Sequence, residues 1–323
     1  MSDLSKLAQS IEKDIGDILY DPTEKIEAIA TGSLSLDYAL GIGGYAKGRI
    51  VDVFGMPSSG KSLLTMLAIK ELQKKDGIAC YIDAEHSFSS TWAKKLGVDP
   101  SKMLIPQPDT GEDAFNIIVK CCESGNVPLV IVDSVPALLP SATLDREIAD
   151  GPKIGDVAAL MSWGIKKILK TVYKSKTVVI FINQLRSKIG NVYGNPEEAT
   201  GGLALKFYAA VRLDVGVVGS SKIMDGANVL GHRIRVKVIK NKVATPYKHA
   251  EFNLYLDSGI DNKDELADLA FESGIISAGA AGWFEYDGKK YQGKPKLLEL
   301  LSDKGMYDKL LGAVNEQRAR ANI

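Results

Sequence analysis

The chain has 323 residues, 45% hydrophobic and 25% charged, and its 40 Lys and Arg balance 40 Asp and Glu. This is ordinary globular usage, long enough for one large domain and a smaller second one. No apolar run approaches the roughly 18–20 residues of a membrane span, and the N-terminus carries no signal-peptide pattern. Three cysteines, Cys80, Cys121 and Cys122, form no CxxC pair, so the chain reads as reduced, intracellular and cytoplasmic.

In chain order, Leu4, Leu7, Ala8, Ile11, Ile15 and Ile18 recur at helical spacing. This N-terminal helix must pack its stripe on its own domain or on a neighbouring subunit. From Arg49 the pattern alternates. "RIVDVF" predicts a strand, Ser59 to Gln73 a helix, "IACYID" a strand and Thr110 to Glu123 a helix. "PLVIVD" predicts a strand, Ala158 to Tyr173 a helix and "TVVIFIN" a strand. Short apolar strands between helices imply a parallel sheet covered on both faces, with ligands at the carboxyl ends of its strands. After Leu205, "FYAAVRLDVGVV", "HRIRVKVIK" and "AEFNLYLD" read as an antiparallel extension of that sheet. From about Gly259 the chain turns helical again, which predicts a small C-terminal domain.

Charge is uneven along the chain. Val157 to Pro196 contains no Asp or Glu but includes Lys166, Lys167, Lys170, Lys174, Lys176, Arg186 and Lys188. Lys222 to Lys248 carries seven Lys and Arg against Asp225 alone. A solvated face is the ordinary reading of such runs; an anionic partner is the sharper one.

The chemistry-bearing residues fall at the predicted strand ends. Gly55-Met56-Pro57-Ser58-Ser59-Gly60-Lys61-Ser62 fits G-x-x-x-x-G-K-[ST] between a strand and a helix. Its glycines let backbone N–H groups wrap phosphate oxygens, and the helix start adds roughly half a positive charge. Lys61 reaches the β- and γ-phosphates, and Ser62 can ligate Mg²⁺. A chance match in a chain this long has odds of about one in a hundred. Asp133 ends "PLVIVD" and reads as the Walker-B acid that holds the Mg²⁺. Glu85, after "IACYID", lies near the γ-phosphate if its strand neighbours the P-loop strand, and would activate the attacking water. Asp83 reads as structural and His86 as a hydrogen-bonded neighbour.

Gln184 ends "FINQ", after which the chain predicts a long glycine-rich basic loop. Long irregular loops inside compact domains are usually functional. An amide at that position can sense a γ-phosphate and pass its state to Arg186 and beyond. Arg186, Lys188, Gly201 and Gly202 suit the close approach of a phosphate backbone.

"ATGSLSLDYALGIGGYAKGRIVDVFGMPSSGKS", "YIDAEH", "QPDTGE", "IVDSVPAL", "FINQLRSKIGNVYGNPEEATGGLALKFY" and "RVKVIKNKVATPYKHAEF" together strongly resemble the bacterial RecA recombinases and their phage-encoded relatives. The likeness runs from the N-terminal helix to about residue 300. It implies an α/β fold: a RecA-type P-loop ATPase core whose twisted sheet is mostly parallel, flanked by helices and extended by antiparallel strands. The expected divisions are residues 1–32 for the polymerisation helix and linker, 33–258 for the core with its DNA-binding loops, and 259–323 for a small α/β C-terminal domain. The implied activity is DNA-dependent ATP hydrolysis in recombination and repair. A head-to-tail helical filament on single-stranded DNA pairs with a homologous duplex and exchanges strands, with ATP and Mg²⁺ as cofactors.

By motif, the resemblance makes Glu85, Lys61 and Gln184 catalytic or sensing residues and Asp133 and Ser62 the metal ligands. The segment from Glu147 to Asp156, with Lys153, and the loop from Arg186 to Gly202 match two DNA-binding loops, and Lys166 matches a basic DNA contact. Lys240 and Lys242 resemble a pair that reaches a neighbour's ATP, and Phe207 resembles an interface residue. A self-cleaving repressor is a further partner known for relatives. Trp92 stands where the family often stacks a Tyr on adenine, and Ser89 where an Asp commonly contacts the base. The first DNA loop departs around Gly151-Pro152-Lys153. The chain ends "NEQRARANI" instead of in a long acidic tail, so weaker autoinhibition of duplex binding is expected.

Two alternatives share the P-loop. A closed-ring helicase would be expected to carry its own substrate-loading domain, and none is visible. A small-molecule kinase would not need the basic glycine loop, the "KNK" pair or a docking helix.

Overall fold

The computed structural model describes residues 23–144, 146–147, 155–187, 197–199, 201–279 and 282–320, with Leu7, Ser10, Ile11, Lys13 and Asp14, which are helical. Most of the predicted N-terminal helix therefore lies outside the described residues. The first half runs β1 (Ala28–Ile29), α1 (Leu34–Leu40), β2 (Tyr45–Ala46), β3 (Ile50–Gly55), α2 (Lys61–Gln73), β4 (Ala79–Asp83), α3 (Ser90–Lys95), β5 (Met103–Leu104), α4 (Gly111–Ser124), β6 (Leu129–Asp133) and α5 (Ser141–Leu144). Next come α6 (Asp156–Ser175), β7 (Val178–Ser187), β8 (Glu197–Ala199), α7 (Ala204–Tyr208), β9 (Val211–Asp225), β10 (Asn228–Asn241), β11 (His249–Tyr255) and β12 (Gly259–Ile260). The C-terminal part holds α8 (Asn262–Glu272), β13 (Ser277–Ala278), β14 (Trp283–Tyr286), β15 (Lys289–Gln292), α9 (Lys294–Leu300) and α10 (Lys304–Arg320).

The main sheet has the order β12-β11-β10-β9-β3-β7-β6-β4-β5. Strands β9, β3, β7, β6, β4 and β5 run parallel, and β10 to β12 are antiparallel. Every residue of β3, β4 and β6 is buried, because helices cover both faces. Alternation divides their side chains between two cores. Val51, Val53, Tyr81, Ile131, Ile180 and Leu213 face α2, while Ile50, Cys80, Ile82, Val132 and Phe181 face α4 and α6. A third cluster, around Leu266, Phe284, Leu297, Leu310 and Val314, belongs to the C-terminal elements and packs on Leu34 and Tyr38 of α1.

Three expectations are corrected. The strand ending in "FINQ" does not stop at Gln184. It continues to Ser187 because Leu185, Arg186 and Ser187 pair antiparallel with Ala199, Glu198 and Glu197 of β8. Phe207 and Tyr208, the first residues of "FYAAVRLDVGVV", are helical, not extended: α7 closes with Phe207 N–H bonded to the Leu203 carbonyl at 3.1 Å and Ala209 N–H to the Leu205 carbonyl at 2.9 Å. The first strand of the predicted antiparallel extension, β9, is parallel to β3, and the antiparallel part begins only at β10.

Candidate functional site

The loop after β3 is shaped by close backbone approaches. A Cβ added at Gly55 would lie 2.1 Å from the Val215 carbonyl oxygen. Met56, Pro57 and Ser58 arch outward and are exposed, Ser59 is buried, and left-handed Gly60 (φ 92°) opens α2. Ser58 also takes positive φ, at 59°. The Lys61 ammonium donates to the carbonyls of Gly55 at 3.1 Å and Met56 at 2.7 Å. Burial lowers its pKa, and the charges of Asp133 and Glu85 oppose that shift.

Asp133 closes β6, two strands from the loop. Its Oδ2 accepts a hydrogen bond from Ser62 Oγ at 2.7 Å and another from the Tyr81 hydroxyl. Burial raises this carboxyl, and both hydrogen bonds oppose the shift. The Asp133 carbonyl accepts from the N–H groups of Ala84 at 2.9 Å and Glu85 at 3.3 Å, which fixes the turn after β4. Asp83 pins the same turn. It accepts from the N–H groups of Ser87 at 2.9 Å and Phe88 at 3.2 Å and from Gln107 Nε2 at 2.8 Å, as its structural reading expects. His86 is exposed beside it at φ 54°.

The strand carrying Glu85 is not the neighbour of the P-loop strand; β7 and β6 lie between them. Glu85 reaches inward instead through side chains. It accepts from Ser134 Oγ and, at 3.2 Å, from Gln184 Nε2. Gln184 is in register with Gly55 across β3 and β7, so its amide stands between the phosphate-type loop and the carboxylate. Trp92 lies on α3, its indole N–H bonded to the Leu256 carbonyl at 2.9 Å, and packs against the first core. The Ser89 hydroxyl is spent on the helix cap, accepting from Trp92 N–H at 3.3 Å.

Lys153 and Lys188 lie outside the described residues, and so does most of each predicted loop. Their anchors are described. Arg146 Nη1 and Thr143 Oγ1 bind Asp156 Oδ2 at 3.0 and 3.1 Å, which brings the two ends of the first segment together. Gly201 and Gly202 close the second. A Cβ on Gly201 would approach Val135 Cγ1 to 2.8 Å, and one on Gly202 would approach Ala158 Cβ to 2.8 Å. These glycines therefore have a packing reason of their own. Lys166 projects from α6 with its ammonium 5.9 Å from the centre of the Tyr208 ring. Arg186 is on β7, at the start of the ribbon.

Lys240, Lys242 and Phe207 form a second group at the opposite end of the sheet. Val211 pairs with both Val51 and Asn241, so this group lies beside the start of β3, about 13 Å along the strand from Gly55. Lys240 Nζ donates to the carbonyls of Lys206 at 2.9 Å and Phe207 at 2.8 Å, where it completes the end of α7. Between the lysines, buried Asn241 accepts from the N–H groups of Val243 and Ala244 at 3.0 Å and donates to the Leu40 carbonyl at 3.1 Å. Phe207 remains 62% exposed. Sequence reasoning missed Tyr81, Ser134 and Asn241. Ser134 follows Asp133 and Asn241 lies within "KNK", but the Tyr81 contact has no local signal.

Residues 3–261 match the family model of the RecA N-terminal domain. The chain belongs to the RecA family. A protein RecA of Chloroherpeton thalassium is 45% identical over 324 residues, covering 98% of this chain and 90% of that protein. A protein RecA of Chlorobaculum parvum is 49% identical over 279 residues, 86% of this chain and 79% of its own length. The crystal structure of the RadB recombinase shares the fold, with a TM-score of 0.54 over 72% of this chain at 21% identity. As a RecA-family member the chain is an ATP-dependent recombinase and a DNA-dependent ATPase, and the closed-ring alternative is not favoured. Family membership implies DNA binding and homo-oligomeric filaments. Among the described residues no helix is long and apolar enough to cross a membrane.

Proposed function

We propose that this chain hydrolyses ATP at the carboxyl edge of its sheet and uses the nucleotide state to order a DNA grip that begins on the same strand. The observation that carries this reading is the 3.2 Å hydrogen bond from Gln184 to Glu85. Gly55 to Ser62 cradle the phosphates, Lys61 neutralises them, and Glu85 orients and deprotonates the attacking water. Ser62 Oγ and Asp133 are hard oxygen donors 2.7 Å apart, a pairing that suits Mg²⁺ shared between protein and phosphates. When bound, that ion neutralises charge developing on the phosphate oxygens. Trp92 offers an aromatic wall for the adenine.

Gln184 exchanges its partner when a γ-phosphate oxygen competes with Glu85 for its amide N–H, and β7 carries the change into the ribbon at Arg186. The lysine-rich face of α6, including Lys166, supplies sequence-independent attraction for single-stranded DNA, with Lys153, Lys188, Gly201 and Gly202 in the flanking loops. Homology is then read by base pairing with the duplex.

Lys240 and Lys242 lie at the amino edge, too far along the sheet to serve their own P-loop. A head-to-tail neighbour brings them to it, with Phe207 in the contact, and such an interface repeats into an open helix. Residues 1–32 act as the polymerisation arm, 33–258 as the core and 259–323 as a separate small domain, and the work is cytoplasmic. The test measures ATP hydrolysis with and without single-stranded DNA and images the product. DNA-stimulated hydrolysis on filaments is the expected result. Hydrolysis indifferent to DNA, or closed rings that unwind duplex, would sink the reading.

A further inference from the structure

We infer that Tyr81 is a positioning residue for the metal site, an inference that rests on the ATPase reading above. Tyr81 sits in the middle of β4, 2% exposed, in a strand whose Ala79, Cys80 and Ile82 are apolar and which ends on buried Asp83. It pairs in register with Ile131, so its long side chain reaches two residues along β6 to the carboxylate of Asp133. Asp133 Oδ2 accepts the Tyr81 hydroxyl and the Ser62 hydroxyl together. The ring is wedged against Phe88, 5.4 Å between centroids at 58°, and against the core under α2.

That arrangement separates two roles. Ser62 stands at the start of α2 on the exposed side of Asp133, and Tyr81 holds the same carboxylate oxygen from the buried side. A buried phenol needs a hydrogen-bond partner, and no apolar strand residue could supply this donor. Tyr81 thus fixes the rotation of the Asp133 carboxylate independently of Ser62, so Ser62 Oγ can turn a lone pair to a divalent cation without releasing Asp133. Groups that orient a metal ligand in this way change metal affinity about 10- to 100-fold when removed.

The test is calorimetric titration of ADP into the full chain, first in EDTA and then across a Mg²⁺ series, for the native protein and Tyr81→Phe. The variant keeps the ring and its contact with Phe88 and loses one oxygen. The expected outcome is ADP affinity in EDTA unchanged, with the Mg²⁺ concentration giving half of the metal-dependent gain raised about tenfold. An unchanged Mg²⁺ midpoint overturns the inference. So does an equal loss of ADP affinity with and without Mg²⁺, which would make Tyr81 a packing residue. A native protein with no Mg²⁺-dependent gain would sink the ATPase reading itself, whereas a native gain that Tyr81→Phe reaches at the same Mg²⁺ concentration sinks only the role of Tyr81.

Discussion

The two edges of the sheet differ in how completely one chain satisfies them. At the carboxyl edge, Lys61, Asp133 and Asp83 are buried and held by partners within the same chain. At the amino edge, Phe207 and Lys242 face solvent. Both groups carry chemistry an ATPase needs, yet the strand length between them keeps them apart in one protomer. A site that is internally finished at one edge and open at the other suits turnover that depends on assembly. One segment spans the gap. Gln184 touches Glu85 at the first edge, β7 leads into the ribbon, and the chain returns through α7 to Phe207 and the Lys240 ammonium at the second.

The largest expected effect comes from disarming the open edge. Replacing Lys240 and Lys242 together by Ala should lower DNA-stimulated hydrolysis about 10³-fold or more, as expected for cations supplied in trans. ATP binding by the isolated protomer should be unaffected. Mixing this variant with Lys61→Ala then sharpens the comparison, because each partner has one sound edge. Equal amounts mixed at random make about one head-to-tail interface in four sound, so measurable hydrolysis should return. If the mixture stays as inactive as its components, the edges do not meet between protomers.

Cutting the connection between the edges should have a smaller effect. Gln184→Ala removes the amide that links Glu85 to β7. Single-stranded DNA should still bind through the lysines, but the gain in affinity on adding ATP should fall from the native value to about a tenth of it or less, a free energy of roughly 1.4 kcal/mol. Fluorescence anisotropy with a labelled oligonucleotide, with and without nucleotide, measures both numbers. A variant that keeps the full nucleotide-driven gain places the switch elsewhere.

What the sequence made legible follows the same division. The P-loop is contiguous and its chemistry depends on backbone shape, so Gly55 to Ser62 could be read directly. Glu85, Asp133 and Gln184 each end an apolar run, and strand ends in a parallel sheet share an edge whatever the strand order. Strand order itself was not legible, so whether β4 neighbours β3 stayed an open condition; it does not, yet Glu85 still reaches Gln184. α7 was hidden because its aromatic pair, Phe207 and Tyr208, favours strands, and five residues are too few to set a helical period. The ribbon past Gln184 depends on pairing with residues ten or more positions away. The Tyr81 contact with Asp133 needs cross-strand register, which no local pattern encodes.

The smallest effect tests what supports the open edge. Asn241 ties the lysine pair to the end of α1 through the Leu40 carbonyl, and the start of α1 is held by acids. The buried carboxylate of Glu265 accepts from the Ser33 hydroxyl and from the N–H groups of Leu34 at 2.7 Å and Ser35 at 3.0 Å. Asp37 accepts from Thr31 N–H at 2.8 Å. Burial raises Asp37 from 3.8 to about 7; the Thr31 hydrogen bonds oppose that shift, and the charges of Glu265 and Glu71 add to it. A carboxyl whose pKa is higher folded than unfolded binds its proton more tightly in the native state. Its contribution to stability is therefore complete below pH 3.8 and is lost as pH rises towards 7. Asp37→Asn keeps an acceptor for Thr31 and removes the titration. Between pH 5 and pH 8, amide exchange across residues 31–40 and 241–244 should accelerate in the native protein beyond the chemical rate. The variant should flatten that dependence and leave residues 50–55 of the finished edge unchanged. Equal flattening at both edges would mean that α1 braces the whole sheet, and the two edges would lose their independence.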